Sequence, residues 1–365
     1  MPVAIRTMTS SDTGLWDAYI SNNPCGNAYQ KSFWGQAIRE TYGHTTYNLM
    51  AVKAGPDARV QSGKEVVVGV LPLVHIKHLL FGNKLFSMPY ADLGGLTADT
   101  QKVEQLLLEN ALGIAHQQNI PFVELRQPFP LSELSQQAHG TFICYAERSN
   151  KVRLLLELPD SSEQLMNSFK SKLRSQIRRP LKDGLYVKAG GLELLDDFYP
   201  VFAENMRDLG SPVHAKAFIE NIVEAASGLA RLFIVYQGKK PLACSLILGC
   251  GSTLANPWAS SLRKFSALSP NMLLYLAMLE YGCDNGYKTF DFGRSTPGEG
   301  TYKFKKQWGS VEIPLNWYVY SNRLENTESV TELKSKFALA MTLWKKLPVP
   351  LSRVIGPVLR KNIGL

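Results

Sequence analysis

Paired cysteines are the first thing this chain lacks. Its five, Cys25, Cys144, Cys244, Cys250 and Cys283, are odd in number and show no C-x-x-C spacing. That excludes a disulfide framework and a zinc ribbon, and suits a reducing cytoplasm. The opening residues, MPVAIRTMTSSDTGLWDAY, hold no charged start followed by a long apolar run. No stretch reaches the roughly 18 uncharged apolar residues of a membrane span, so neither secretion nor membrane crossing is expected. There is no Gly-x-Ser-x-Gly elbow and no lysine-bearing phosphate loop, which leaves hydrolase and P-loop chemistry unsupported. His75 and His78 would point to opposite faces of one strand, which argues against a shared metal, and no metal site is expected. Acidic residues are missing after Glu332, where seven cations follow: Lys334, Lys336, Lys345, Lys346, Arg353, Arg360 and Lys361. Those seven account for most of the net charge of +9. The body is nearly neutral, so stable DNA binding is not expected, and an RNA-only binding module is disfavoured.

What is present is enough apolar sequence for two domains: 365 residues, 45% hydrophobic and 19% charged. Periodicity predicts a helix from Phe33 to Thr41, then a hairpin of strands Tyr47 to Val52 and Glu65 to Ile76 across the turn-rich AGPDARVQSGK. After the loop SMPYADLGG, a helix from Thr100 to Gln118 and a strand from Phe122 to Arg126 complete the first part. A strand from Arg153 to Leu158 opens the second, followed by a helix near 162–179 that Pro180 should end. A helix from Lys216 to Ala226 and a hairpin of Arg231 to Tyr236 with Leu242 to Leu248 come next, then a strand from Leu254 to Ala259. A helix from Pro270 to Asn285 feeds the strand Thr289 to Phe292. Hairpin, helix and strand thus occur twice in an α/β order, with domains expected at 1–152 and 153–320 and a basic tail at 321–365.

Two segments could carry chemistry. In the helix near 162–179, Leu165, Phe169, Leu173 and Ile177 step by four as a buried stripe, while Lys170, Arg174 and Arg178 step by four beside them. Stacked cations suit an anionic partner; a solvated or paired face is the other reading. The second segment is FDFGRSTPGEGTYKFKKQWG from Phe290 to Gly309. A strand end, a glycine-rich loop and three lysines interleaved with aromatics can present backbone N–H groups and cations to an anion. The alternative is that Asp291 and Arg294 merely brace the turn. Arg294, Gly298 and Gly300 imitate the acyl-CoA diphosphate loop of acetyltransferases, but with three residues where two belong.

The segments LMNSFKSKLRSQIRRPLKDGLYV, LEYGCDNGYKTFDFGRS and GTYKFKKQWG resemble the FemAB-like group of GNAT-related acyltransferases, and more narrowly the FemAB-like proteins of exosortase/PEP-CTERM and exopolysaccharide systems. The resemblance spans roughly residues 1–320, and YQKSFW at 29–34 is a looser match. It implies two tandem GNAT-like (acyl-CoA N-acyltransferase type) domains with mixed sheets flanked by helices, a cleft between them, and transfer of an acyl or aminoacyl group to an amine. The acceptor it implies is a cell-envelope or exopolysaccharide precursor. Acyl-CoA or aminoacyl-tRNA would be a co-substrate, with no permanently bound cofactor. A CoA-dependent acetyltransferase and a non-catalytic scaffold are the alternatives.

On that reading Lys305, Asp291 and Tyr302 form the expected catalytic set, with Asp291 either a base or an orienter of Arg294 and Tyr302 assisting proton transfer. Arg294, Lys303 and Lys306 would bind an anion, Arg174 and Arg178 would hold an anionic substrate arm, and Lys31, Trp34 and Trp258 would line the cleft. The tail LKSKFALAMTLWKKL, Leu333 to Leu347, reads as an amphipathic helix. It would lie on an anionic leaflet at the inner face of the cytoplasmic membrane, or pack back on the first domain.

Overall fold

The computed structural model describes residues 2–54, 65–79, 82–147, 151–322 and 339–364. The chain divides into two compact units. One is Met1–Asn150 with Pro314–Leu324 and Asn362–Leu365, and the other is Lys151–Ile313 with Glu325–Lys361. No helix among the described residues is long and apolar enough to cross a membrane.

The first unit opens with β1 (Val3–Thr7), α1 (Thr13–Asn22) and α2 (Ser32–Tyr42), the last ending where Gly43 turns left-handed. Strands β2 (Thr45–Lys53) and β3 (Val66–His78) make the expected antiparallel hairpin; its loop, 55–64, lies outside the described residues. After β4 (Gly82–Phe86) and β5 (Thr97–Ala98), α3 (Gln101–Gln117) starts where the Thr100 hydroxyl accepts the Val103 N–H. Its apolar stripe, with Val103, Leu107, Ala111 and Ala115 all buried, packs on the sheet. Gly69 of β3 permits the approach, since a Cβ there would come within 2.6 Å of Val103 Cγ1. Strand β6 (Phe122–Gln127) returns parallel to β4, and β7 (Ile143–Glu147) follows.

The second unit runs β8 (Val152–Glu157), α4 (Ser162–Ser168), α5 (Ser171–Lys182), β9 (Leu185–Gly190), α6 (Leu195–Leu209) and α7 (Lys216–Ala225). It continues through β10 (Ala230–Gln237), β11 (Lys240–Cys250), β12 (Thr253–Ser261), α8 (Pro270–Asp284), β13 (Thr289–Ser295), α9 (Gly300–Lys306) and β14 (Val311–Pro314). The sheet order is β14-β8-β13-β12-β11-β10-β9. Helix α8 joins the parallel pair β12 and β13. Ten of its fifteen residues are buried, so it is a core helix with no polar face to speak of.

Three expectations change. The helix near 162–179 is two helices, because Phe169 adopts extended backbone between α4 and α5. Pro180 does not end the second, which reaches Lys182. Its ring is buried in line with Leu173 and Ile177, and the carbonyl deprived of a partner belongs to Gln176, an exposed residue. Finally, β15 (Asn316–Ser321) leaves the second unit and inserts between β6 and β7 of the first sheet. The boundary expected at 320 therefore falls at 313. In the tail, residues 333–338 lie outside the described residues and 339–344 are helical. Helix α10 (Val349–Arg360) then packs on α6 within the second unit.

Candidate active site

Strands β12 and β13 pair only over Thr253↔Thr289, Leu254↔Phe290 and Ala255↔Asp291, and then part. The sequence explains both sides. On β12 the next residues are Asn256 and Pro257; a proline has no N–H for the ladder, and the register with β11 shifts here. The buried Asn256 amide mends the gap by donating to Ser245 Oγ at 2.6 Å, the Leu246 carbonyl at 2.8 Å and the Trp258 carbonyl at 3.1 Å. On β13, Gly293 takes φ +72° inside a bulge against β8, a conformation that carries no Cβ penalty for glycine. Open α/β sheets take ligands where neighbouring strands part at their carboxyl ends. Two buried polar atoms at this end, Ser295 Oγ at the close of β13 and Asn271 Oδ1 in the first turn of α8, have no hydrogen-bond partner among the described residues. Such groups mark where a ligand could complete the bonding.

The first unit repeats the parallel pair, β4 with β6, also over three residue pairs. There the space is filled. Ser87 N–H donates to the Glu124 carbonyl, Gly94 and Gly95 N–H donate to the Arg126 carbonyl, and the fully buried Arg126 side chain donates to Glu124 and to the Ala91 carbonyl. The loop from 87 to 95 thus occupies the position that the second unit leaves to its bulged strands.

Asp291, expected as a base or as the orienter of Arg294, is held by a different arginine. It is 3% exposed and forms a buried ion pair with Arg153, whose Nε and Nη2 lie 3.0 and 2.9 Å from Oδ2, while the Gly293 N–H donates to Oδ1 at 2.8 Å. Both oxygens are engaged, so the carboxylate holds the bulge that aims Arg294. Arg153 reads from the sequence only as part of a strand. The signal was there: one cation in the apolar run VRLLLE faces one anion in TFDFG.

Arg294 is half-buried, and its carbonyl accepts from Lys305 Nζ at 3.0 Å. That contact ties α9 to the end of β13 and holds an ammonium group there. Lys306 donates to the Ser310 carbonyl at 2.9 Å and lies 3.6 Å from Glu312. Lys303 is exposed, with no side-chain partner among the described residues. Tyr302 donates its phenolic proton to Glu312, and that hydrogen bond, more than burial, raises the phenol above its usual range. A phenol so held is a poor base. Tyr302→Phe is therefore expected to change turnover less than about threefold, whereas loss of a working acid or base costs about a hundredfold or more; steady-state rates with any accepted donor decide it.

The remaining expected residues scatter. Arg174 does not reach outward: its guanidinium donates to the Phe169 carbonyl at 2.9 Å and caps the break between α4 and α5. Arg178 is exposed on α5 and available to an anion. Trp258 is half-buried against Phe202, His214 and Phe218, at ring separations of 5.5, 5.1 and 6.0 Å. Lys31 and Trp34, expected to line the cleft, are both buried inside the first unit. Lys31, 5% exposed, donates to the Asp17 carbonyl and to Ser21 Oγ of α1. Trp34 is fully buried edge-on to Tyr29, with its indole N–H on the Pro89 carbonyl. The second unit therefore gathers Asp291, Arg294, Tyr302, Lys305 and Lys306 around one strand end, and the first unit uses Lys31 and Trp34 as packing. Among the described residues no cluster of three or more His, Cys, Asp or Glu could hold a metal.

Comparison with known proteins bears on the fold. A family model described as acetyltransferase (GNAT) domain matches residues 167–306, all within the second unit. The lipid II:glycine glycyltransferase of Staphylococcus aureus (strain MRSA252) is 19% identical over 373 residues, covering 80% of this chain and 87% of that one. The crystal structure of FemX superposes with a TM-score of 0.66 at 17% identity, covering 90% of this chain and 99% of that one. A tandem GNAT protein from the clavulanic acid biosynthesis pathway gives a TM-score of 0.51 at 11% identity, covering 89% and 100%. The fold is the α/β, tandem GNAT type.

Proposed function

We propose that this chain, a GNAT-type acyltransferase of FemAB-like build, transfers an acyl or aminoacyl group to an amine of an anionic cell-envelope precursor. The observation that carries the reading is the Lys305 ammonium anchored on the carboxyl end of β13, beside the point where β12 and β13 part. In acyl transfer the acceptor nitrogen bonds to the donor carbonyl carbon and the carbonyl oxygen becomes an oxyanion. That oxyanion collapses as the bond to the donor's sulfur or ribose oxygen breaks. A fixed cation stabilises it most in the transition state, where its charge is greatest. With Asp291 ion-paired and Tyr302 held by Glu312, the amine proton is best accounted for by transfer to the departing group. Arg178 and Arg294 supply charge for an anionic acceptor.

A GNAT domain implies an acyl-CoA donor, and the S. aureus relative's name points to an aminoacyl one. The helix that follows β12 weakens the first. It starts at Pro270, and a proline removes one of the backbone N–H groups that a diphosphate would use. The narrower association with exopolysaccharide and PEP-CTERM systems rests on the sequence motifs alone, and a lipid-linked acceptor would bring the work to the membrane surface. The test is to offer the protein acyl-CoA, acyl-carrier protein and aminoacyl-tRNA pools separately, with an envelope extract, and follow transfer by mass spectrometry. Mass gain on an envelope amine from one donor supports the reading. No transfer from any donor, with acceptors shown to be competent, moves the protein to a non-catalytic scaffold.

A further inference from the structure

Helix α10 is amphipathic the wrong way round for a helix that merely packs on a protein. The face turned to the second unit carries Ser352, Gly356 and Arg360, spaced by four and all buried. Gly356 rides directly on Val213, where a Cβ would meet Cγ1 at 3.0 Å. Arg360 Nε donates to Nε2 of the buried His214 at 3.0 Å, and the Arg353 guanidinium lies 5.5 Å from the Tyr199 ring centre. Upstream, Arg207 donates to the Leu347 carbonyl at 2.7 Å. Polar and small residues thus anchor the helix.

The opposite face is apolar and faces solvent. Leu351, Val354, Ile355 and Val358, at the i, i+3, i+4, i+7 spacing of one helical stripe, are 44%, 72%, 37% and 60% exposed. The preceding helical residues add Leu339 at 63% and Leu343 at 59%. Between the two stretches stand the exposed Lys345 and Lys346, and no acidic residue occurs anywhere after Glu332. An apolar stripe with cations beside it and no acidic residue in its own segment matches the surface of an anionic bilayer, where side chains enter the acyl boundary and lysines meet headgroup phosphates. A second copy of the chain fits less well, because a symmetric pairing would set these cations against their own images.

We infer that the C-terminal segment is a built-in docking surface for an anionic membrane leaflet, with the buried face of α10 fixing the second unit to it. This goes beyond the proposed reaction and does not depend on the donor or acceptor. The test is co-sedimentation of the full chain with phosphatidylcholine vesicles, with and without phosphatidylglycerol. Three proteins are compared: wild type, Val354→Asp/Val358→Asp, and Lys345→Ser/Lys346→Ser, with melting curves to confirm folding. The expected result is binding to the anionic vesicles that weakens with salt, falls about tenfold or more in the aspartate variant and falls less in the serine variant. Wild type that ignores anionic vesicles overturns the inference. So does an aspartate variant that is folded and binds equally well, or a wild-type dimer that the aspartate variant dissolves without any vesicle binding.

Discussion

Arg153→Ala is expected to destabilise the second unit by about 3–5 kcal/mol, because it strands a buried carboxylate without its counter-charge. Arg153 and Asp291 both lie below 10% exposure, so water cannot replace the lost guanidinium cheaply. For a unit of this size, a loss of that order lowers the melting midpoint by on the order of 10 °C. Activity should fall with it, since the same carboxylate fixes the bulge that carries Gly293 and Arg294. The paired replacement Arg153→Met/Asp291→Leu removes both charges and should recover much of the stability, though not the bulge, whose Gly293 N–H loses its acceptor. Calorimetry on the three proteins settles it. A single variant that melts within 2 °C or so of wild type would mean that the pair is solvated and carries little.

Lys305→Ala should lower turnover by about a hundredfold to a thousandfold, the range seen when one oxyanion donor is removed. The fall should appear equally in kcat and kcat/KM, as it must for a contact made only in the transition state. Stability should change less than activity, for the Lys305 ammonium bonds a carbonyl at the end of a strand and not a buried charge. Lys303→Ala is the internal control: on the same short helix but exposed, it should cost less than about threefold. Equal effects from the two lysines would indicate general electrostatic attraction of an anionic substrate rather than a fixed oxyanion contact, and a rise in KM alone would say the same.

Much of this was legible along the chain. Spacing of apolar residues placed α2, α3, α7 and α8 and the hairpins β2/β3 and β10/β11 to within a few residues, since helix and strand periods follow from backbone geometry. The concentration of chemistry between Phe290 and Gly309 was also visible, because glycine and lysine at a strand end stand out from core composition. The roles of individual side chains were not. Asp291 looked like a partner for Arg294, three residues on, but its partner is Arg153, 138 residues away. Arg174 looked like one rung of a cationic ladder until the backbone break at Phe169 gave it carbonyls to cap. Lys31 and Trp34 looked like surface chemistry, and they are buried with partners on α1 and at Pro89.

What the sequence determined by itself is therefore local: the order of helices and strands, their doubled α/β arrangement, and the stretch in which function is concentrated. Only the tertiary structure decided which sheet claims β15, which of two similar parallel strand pairs is filled and which is bulged open, and which face of α10 is buried. The physical reason is range. Periodicity and capping are settled within a few residues of chain, whereas ion pairing, sheet membership and burial depend on which distant segments come to share a surface, and a short apolar run such as the WYVY of β15 suits either sheet equally well.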